Sequence, residues 1–135
     1  MKHLKIYTDG GARGNPGPAA FGVVVKNTEG EKIHQHGEKI GKATNNQAEY
    51  EGLLAGLRWL CDNKPEAEII DFYLDSNLIV NQMQGNFKVK SINIRPLWRR
   101  AQDLVKEIPS KINFHHIPRE KNTEADSLLN QALDR

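Results

Sequence analysis

The chain has 135 residues, and its 19 lysines and arginines against 17 aspartates and glutamates give a formal net charge of +2. This length suffices for one domain with its own core, and the near-neutral charge gives only a weak chain-wide electrostatic footprint for nucleic acid, so any polyanion binding must come from a local arrangement. The single cysteine, Cys61, excludes an internal disulfide, and no apolar run approaches the roughly 18 residues of a membrane span. We therefore expect one domain over residues 1–135 of a cytoplasmic protein that does not cross a membrane.

The predicted elements begin with three strands. The segments LKIYTD, AFGVVVKN and EKIHQHGEKI each fit a strand, and a TEG turn at residues 28–30 joins the second strand to the third. Apolar residues then recur at helical spacing from Asn46 to about Asp62, where the sequence NKP ends the helix. Gly52 and Gly56 leave this helix a strip of small residues that suits close packing on a sheet.

Alternating strands and helices follow. EIIDFYLD has the apolar pattern of a buried strand, and Ser76 after it is a candidate N-cap for a short helix. Pro96 begins the next long helix, KINFHHIP is the last strand, and a helix over the segment that contains Ala125 and Leu129 ends the chain. This order predicts an α/β fold, with a mixed sheet and helices packed on its faces.

Four carboxylates stand where this outline changes direction. Asp9 closes the first strand and Asp75 closes the fourth, and open α/β sheets bind their ligands at the carboxyl ends of adjacent strands. Glu49 and Asp126 lie in the first turns of two predicted helices. If the fold gathers these four acids, they form a site for divalent cations, because hard ions such as Mg²⁺ prefer oxygen ligands.

Each acid also has an ordinary structural interpretation. Asp9 stands before two glycines, as in a simple turn, and Asp75 stands before a candidate N-cap serine. Glu49 completes an Asn-x-x-Glu spacing close to a capping box. Asp126 follows Thr123 by three residues, as a first-turn acid that the helix dipole favours. Taken singly, none of the four acids identifies a site.

Taken together, the four acids and the segments that contain them form a specific pattern. The segments YTDGGARGNPGPAAFGVVV, TNNQAEYEGLLAGL, LDSNLIV and HIPREKNTEAD, in this order, resemble type 1 ribonuclease H, the endonuclease that cuts the RNA strand of RNA/DNA hybrids. The resemblance extends from about Lys5 to Leu133. It implies the ribonuclease H-like fold, a five-stranded mixed sheet with three antiparallel strands and then two parallel ones, flanked by helices on both faces. The outline from pattern alone agrees with that layout.

The resemblance implies a site for two Mg²⁺ ions, with Mn²⁺ as an alternative. Asp9 would bridge both ions, Asp126 would complete the ion that activates the attacking water, and Glu49 and Asp75 would hold the ion on the leaving-group side. In-line attack on a phosphodiester suits this arrangement, because two ions about 3.5–4 Å apart stabilise both the attacking and the leaving oxygen. Without metal, four acids packed together would repel one another and raise at least one pKa.

The resemblance also implies substrate contacts. Gly10, Gly11 and Glu49 would meet ribose 2′ hydroxyls, the groups that distinguish RNA from DNA, and Asn46 and Asn77 would face the minor groove. Four further residues would grip a phosphate of the DNA strand, which positions the duplex without reading its sequence: Lys42, Thr44, Asn45 and Asn93. An interpretation of these residues as hairpin glycines, helix caps and solvated polar groups stays open.

Two departures separate the chain from the best-known bacterial pattern. Many relatives have a His in a flexible loop before the last Asp, whereas the shorter segment here offers only Arg119 and Glu120. We favour Arg119, which is permanently cationic and can grip a phosphate but cannot act as a base. The interhelical segment GNFKVKSINIRP is too short for the large basic handle of some relatives. The chain thus resembles a variant without the catalytic-loop His and the handle.

The sequence therefore favours a metal-dependent endoribonuclease that acts on RNA/DNA hybrids with little sequence preference. We expect a monomer, and double-stranded RNA is a further substrate compatible with the sequence. The alternative from another class is a non-catalytic nucleic-acid-binding module with a ribonuclease H-like fold. The four acids argue against it, since a pure binder has little use for mutually repelling carboxylates.

Overall fold

The computed structural model describes residues 2–135. Its strands are β1 (His3–Ala12), β2 (Gly17–Lys26), β3 (Lys32–Ala43), β4 (Ile69–Leu74) and β5 (Lys111–His116). Its helices are α1 (Asn45–Asn63), α2 (Asn77–Met83), α3 (Arg95–Glu107) and α4 (Thr123–Leu133), and a 3₁₀ turn, Arg119–Lys121, precedes α4. The predicted elements are confirmed, with boundaries displaced by a few residues. Asp9 does not close β1, because the strand continues to Ala12 in its pairing with β2. No helix within residues 2–135 combines the length and the apolar character needed to cross a membrane.

The five strands form one mixed sheet in the order β3-β2-β1-β4-β5. Short turns join β1 to β2 and β2 to β3, so these pairs are antiparallel. The crossovers through helices make β4 parallel to β1 and β5 parallel to β4. This is the predicted α/β layout, and it places the carboxyl ends of the central strands β1 and β4 side by side.

Helix α1 packs on one face of the sheet through a buried apolar stripe. Tyr50, Leu53, Leu54 and Leu57 are fully buried, and each such side chain stabilises the fold by about 1.5–3 kcal/mol relative to an exposed one. The predicted small-residue strip lies at the contact: a Cβ added at Gly52 would stand 3.0 Å from the Asp9 carbonyl oxygen, and one at Gly56 3.0 Å from the Phe72 ring. The expectation of close packing is confirmed.

Helix α4 packs on the opposite face, over a row of two glycines. Asp9 of β1 pairs with Gly22 of β2, and Gly22 pairs with Gly37 of β3. A Cβ at Gly22 would overlap the Ala125 carbonyl, and one at Gly37 would stand 2.6 Å from the Leu128 carbonyl oxygen. The absence of side chains in this row therefore lets the backbone of α4 lie directly on the sheet beside Asp9.

Candidate metal and active site

Three acids converge where β1, α1 and β4 meet. Asp9, Glu49 and Asp75 each offer a carboxylate oxygen, and these atoms lie within 4.8 Å of one another. Asp9 and Asp75 come together because β1 and β4 are parallel neighbours. Glu49 reaches them because α1 lies against Gly10, where any Cβ would overlap the Ala48 backbone. The close approach of helix to strand thus depends on a glycine at this position.

The fourth acid reaches the same place from α4. Asp126 lines, with the other three acids, an open cleft of about 520 Å³. Two ion pairs link the first turn of α4 to the sheet. Glu124 accepts from Lys26 of β2 at 2.6 Å and from Lys32 of β3 at 2.9 Å. The structure therefore gathers the four acids in one cleft.

Glu49 takes no part in the cap of α1. The capping box is formed by Thr44, whose hydroxyl accepts from the Gln47 amide at 3.1 Å, and by the Gln47 side chain, which accepts from the Thr44 amide at 2.9 Å. The Glu49 Oε1 atom instead accepts from the Gly10 amide at 3.2 Å, and Oε2 is buried without a partner among residues 2–135. The capping interpretation of Glu49 is therefore wrong, because the helix begins earlier than Asn46.

Burial and mutual repulsion shift Asp9, Glu49 and Asp75 toward their neutral forms. Burial raises the pKa of Asp9 from 3.8 to about 7; a hydrogen bond with Glu49 offsets part of this rise, and the charges of Asp75 and Asp126 add to it. Burial also raises the pKa of Glu49 well above 4.5, and the hydrogen bond and charge of Asp9 raise it further. Burial raises the pKa of Asp75, with a partial offset from the Arg119 guanidinium. The four acids thus outnumber the two arginines that line the cleft, Arg13 and Arg119.

The donor set fits a hard divalent cation. The converging ligand atoms are all carboxylate oxygens, and this is the one group of three or more His, Cys, Asp or Glu side chains found to converge within residues 2–135. The unpartnered Glu49 Oε2 supplies a further free acceptor. Oxygen ligands of this kind suit Mg²⁺ and related ions, and no thiolate or imidazole of a zinc site takes part.

Arg119 lies at the rim of the cleft. Its side chain is exposed and lines the cleft beside Asp75, and its charge acts on the Asp75 pKa. Glu120, the other residue considered in place of the missing His, is exposed and is not among the cleft-lining residues. The structure therefore distinguishes the two neighbours, since only Arg119 faces the acids.

The residues that the resemblance links to substrate divide into two groups. Those that line the cleft are Gly10, Gly11, Asn45 and Asn46. Those outside its lining are Lys42, Thr44, Asn77 and Asn93. Asn45 also fixes the glycine loop, because its Oδ1 accepts from the Ala12 amide at 2.9 Å. Thr44 serves as the helix cap, and the Asn77 side chain accepts from Asn81 at 3.0 Å.

Sequence reasoning missed one buried residue behind the acids. Asn122 is 1% exposed, and its Nδ2 donates to the Thr8 carbonyl at 2.9 Å. The available signal, an asparagine directly before a helix, predicts an N-cap and nothing more. Its contact with β1 depends on tertiary structure, because 114 positions separate the two residues.

Comparison with known proteins matches nearly the whole chain. A family model described as "Reverse transcriptase-like" matches residues 7–132. A bifunctional protein of Mycobacterium tuberculosis is 43% identical over 131 residues, 96% of this chain and 35% of the relative. Ribonuclease HI of Halobacterium salinarum is 39% identical over 97% of this chain and 64% of the relative. Ribonuclease H of Erythrobacter litoralis is 31% identical over 99% of this chain and 98% of the relative. The chain thus spans only part of the first two relatives.

Solved structures match equally well. LC11-RNase H1 in complex with an RNA/DNA hybrid superposes with a TM-score of 0.92 and 44% identity, over 97% of this chain and 96% of that one. RNase H1 of Halobacterium salinarum gives a TM-score of 0.91 and 38% identity, over 98% of both chains. In both comparisons the similarity includes all the elements that carry the four acids.

Proposed function

Because the chain belongs to the type 1 ribonuclease H family, we propose that it hydrolyses the RNA strand of RNA/DNA hybrids as an endonuclease with little sequence preference. One observation carries this proposal: the carboxylates of Asp9, Glu49, Asp75 and Asp126 share one open cleft. The hybrid bound to LC11-RNase H1 supports the substrate class. Phosphodiester hydrolysis needs positive charge at both the attacking and the leaving oxygen, and a pocket of acids holds the cations that provide it.

Mg²⁺ is the proposed cofactor, as two ions with substrate bound, and Mn²⁺ is the expected substitute. Asp9, Glu49 and Asp75 would hold the cations, and Asp126 would complete the site. When bound, such ions neutralise charge on the phosphoryl oxygens and lower the pKa of the attacking water. The raised pKa values of Asp9 and Glu49 support this proposal, because a bound cation offsets the burial and the repulsion that favour their neutral forms.

The chain's own residues account for the choice of RNA. Gly10 and Gly11 present backbone without side chains at the wall of the cleft, where a sugar can approach closely. Glu49 Oε2 has no partner among residues 2–135 and is an acceptor for the hydrogen of a 2′ hydroxyl. Deoxyribose lacks this group, so a DNA strand in the same place would leave Glu49 unsatisfied.

Arg119 is proposed to hold the phosphate backbone beside the acids. Its guanidinium stays protonated and donates several hydrogen bonds in a fork that matches phosphate oxygens. It therefore positions the strand and cannot remove a proton. Asn45 and Asn46 line the cleft on the α1 side and are placed to contact the duplex there.

The test compares labelled RNA/DNA hybrid, duplex RNA and duplex DNA, each with Mg²⁺ or Mn²⁺. We expect cleavage of the RNA strand of the hybrid, and Asp9→Asn or Asp75→Asn should lower the rate by about 100-fold or more. Arg119→Ala should lower the rate, whereas Glu120→Ala should not. Asp62→Asn, which alters an exposed acid outside the cleft, is the matched control and should retain full activity.

Two outcomes would count against the proposal. Near-normal cleavage by a folded Asp75→Asn protein would refute the role of the acids. Binding of hybrid by the unaltered protein without any cleavage would favour the non-catalytic binding module. Cleavage of duplex RNA at a comparable rate would extend the substrate to any duplex with a ribose strand.

A further inference from the structure

Asn122 occupies an N-cap position without acting as a cap. It directly precedes α4, yet its side chain makes no hydrogen bond to the first turn of that helix. An asparagine at this position ordinarily accepts from amides of its own helix, which stabilises the helix. Here the side chain is buried, and its Nδ2 donates to the Thr8 carbonyl of β1 at 2.9 Å. The contact with the sheet replaces the cap.

The Thr8 carbonyl marks the point where two strands separate. The pairing of β1 with β4 runs from His3 and Ile69 to Tyr7 and Tyr73 and ends there. Thr8 is the next residue of β1, directly before Asp9. The Asn122 amide therefore bonds to β1 just beyond its last pair with β4, directly before Asp9.

The same residue bears on two more parts of the cleft. Burial raises the pKa of Asp75, and the Arg119 guanidinium, followed by the Asn122 side chain, offsets part of that rise. The Asp126 amide donates to the Asn122 carbonyl at 3.1 Å. Asn122 is thus hydrogen-bonded to the backbone before Asp9 and to the backbone of Asp126, and its side chain lowers the pKa of Asp75.

The chemistry of these contacts requires a donor. The Thr8 carbonyl is an acceptor, so the amide must present Nδ2 to it, and a flipped amide would be repelled. In this orientation Oδ1 is buried with no partner within the part of the chain from Lys2 to Arg135, which costs free energy. A residue needed only to fill space would carry no such cost.

We propose that Asn122 is a positioning residue, which sets the separation of Asp9, Asp75 and Asp126 and thereby the affinity of the cleft for divalent cations. A test of this role by cleavage activity rests on the proposed function, whereas a test by cation affinity does not. Asn122 touches neither the cation nor the substrate in this account. It acts through the acids that do.

The experiment uses two variants and one matched control. Asn122→Ala removes the amide, and Asn122→Asp keeps its shape but replaces the donor to the Thr8 carbonyl with an acceptor. Gln84→Ala is the control, because the Gln84 side chain also donates to a strand carbonyl, that of Phe114, at 2.8 Å, away from the cleft. Mn²⁺ affinity is measured by titration calorimetry, kcat and KM on RNA/DNA hybrid by initial rates, and folding by thermal unfolding.

We expect both Asn122 variants to lose about 10- to 100-fold in Mn²⁺ affinity or in kcat, as for residues that orient metal ligands. The KM for hybrid should change little, and raised Mg²⁺ should restore part of the kcat of Asn122→Ala. Gln84→Ala should lower the melting temperature and leave Mn²⁺ affinity and kcat unchanged.

Unchanged Mn²⁺ affinity and kcat in a folded Asn122→Asp protein would overturn the inference. An equal loss in Gln84→Ala would also overturn it, because the effect would then be general destabilisation. If the unaltered protein binds Mn²⁺ but does not cut hybrid, the proposed function fails alone, and the Mn²⁺ affinities still decide the role of Asn122.

Discussion

At the scale of single residues, the acids of the cleft are held together against their own repulsion. Asp9 is 5% exposed and Glu49 is 6% exposed, and a lone ionised carboxylate at such a depth is unfavourable. Within residues 2–135, the backbone donor to this pair is the Gly10 amide, at 2.9 Å from Asp9 Oδ1 and 3.2 Å from Glu49 Oε1. The arrangement is therefore a source of instability in the metal-free protein, and a bound cation converts it into stability.

This electrostatic strain predicts a stability effect with a definite pH dependence. The pKa of Asp9 rises from 3.8 to about 7 on folding, so the folded state binds more protons than the unfolded state between these values, and stability falls as the pH rises through them. The Asp9→Asn variant has no carboxyl group to ionise at this position, so it avoids this loss of stability. In EDTA at pH 8, the variant should melt higher than the unaltered protein by about 3 °C or more, and the difference should shrink toward pH 4.

Thermal unfolding followed by circular dichroism checks this prediction. Added Mg²⁺ should stabilise the unaltered protein and leave Asp9→Asn nearly unaffected, since the variant lacks a ligand. A variant that is less stable than the unaltered protein at pH 8, or a difference that does not change with pH, would show that Asp9 is not strained.

At the scale of elements, glycines decide where the helices lie. Gly10 and Gly52 admit α1 on one face of the sheet, and Gly22 and Gly37 admit α4 on the other. The two helices thereby approach Asp9 from opposite faces and bring Glu49 and Asp126 to it. Side chains at these positions would hold each helix away from the sheet by the thickness of at least a methyl group.

Gly22→Ala tests this account of α4. The new methyl group would overlap the Ala125 carbonyl, so α4 must shift, which should cost about 1–3 kcal/mol of stability. Because Asp126 follows Ala125, we also expect the cleavage rate to fall by about 10- to 100-fold. Initial rates and urea unfolding provide the two measurements.

Gly56→Ala is the control for Gly22→Ala. Its methyl group would crowd the Phe72 ring in the core, away from the cleft, so stability should fall while most activity remains. Equal activity of the two variants at equal stability would mean that the position of α4 does not matter for the reaction.

At the scale of the whole molecule, the order of elements follows from sequence, because the helical spacing on α1 and the apolar run of β4 are visible within short segments. The four acids follow from sequence only in combination, because each alone fits a turn or a helix end and the set resembles that of ribonuclease H. Gly52 and Gly56 are also visible, since they lie four apart on one helix. The register of the sheet is not local, so the row of Gly22 and Gly37 beside Asp9 appears only when the strands are paired.

The same reason explains the errors at the ends of helices. The spacing from Asn46 suggested a cap that involves Glu49, whereas the helix begins at Asn45 and its cap is Thr44. Glu49 faces Gly10, which lies 39 positions earlier in the chain. Asn122 resembles a cap in sequence and contacts β1 in the fold. In both cases a tertiary contact decides the role of a residue whose local pattern indicates capping.

The central claim is that four acids from four elements form one site for paired cations. The most direct measurement is anomalous diffraction from crystals of the protein with Mn²⁺ and an RNA/DNA hybrid that has a non-cleavable linkage. The account predicts two Mn²⁺ peaks about 3.5–4 Å apart, both within coordination distance of Asp9, with Glu49, Asp75 and Asp126 around them. Hybrid bound in the cleft with no Mn²⁺ peak at these carboxylates would contradict it.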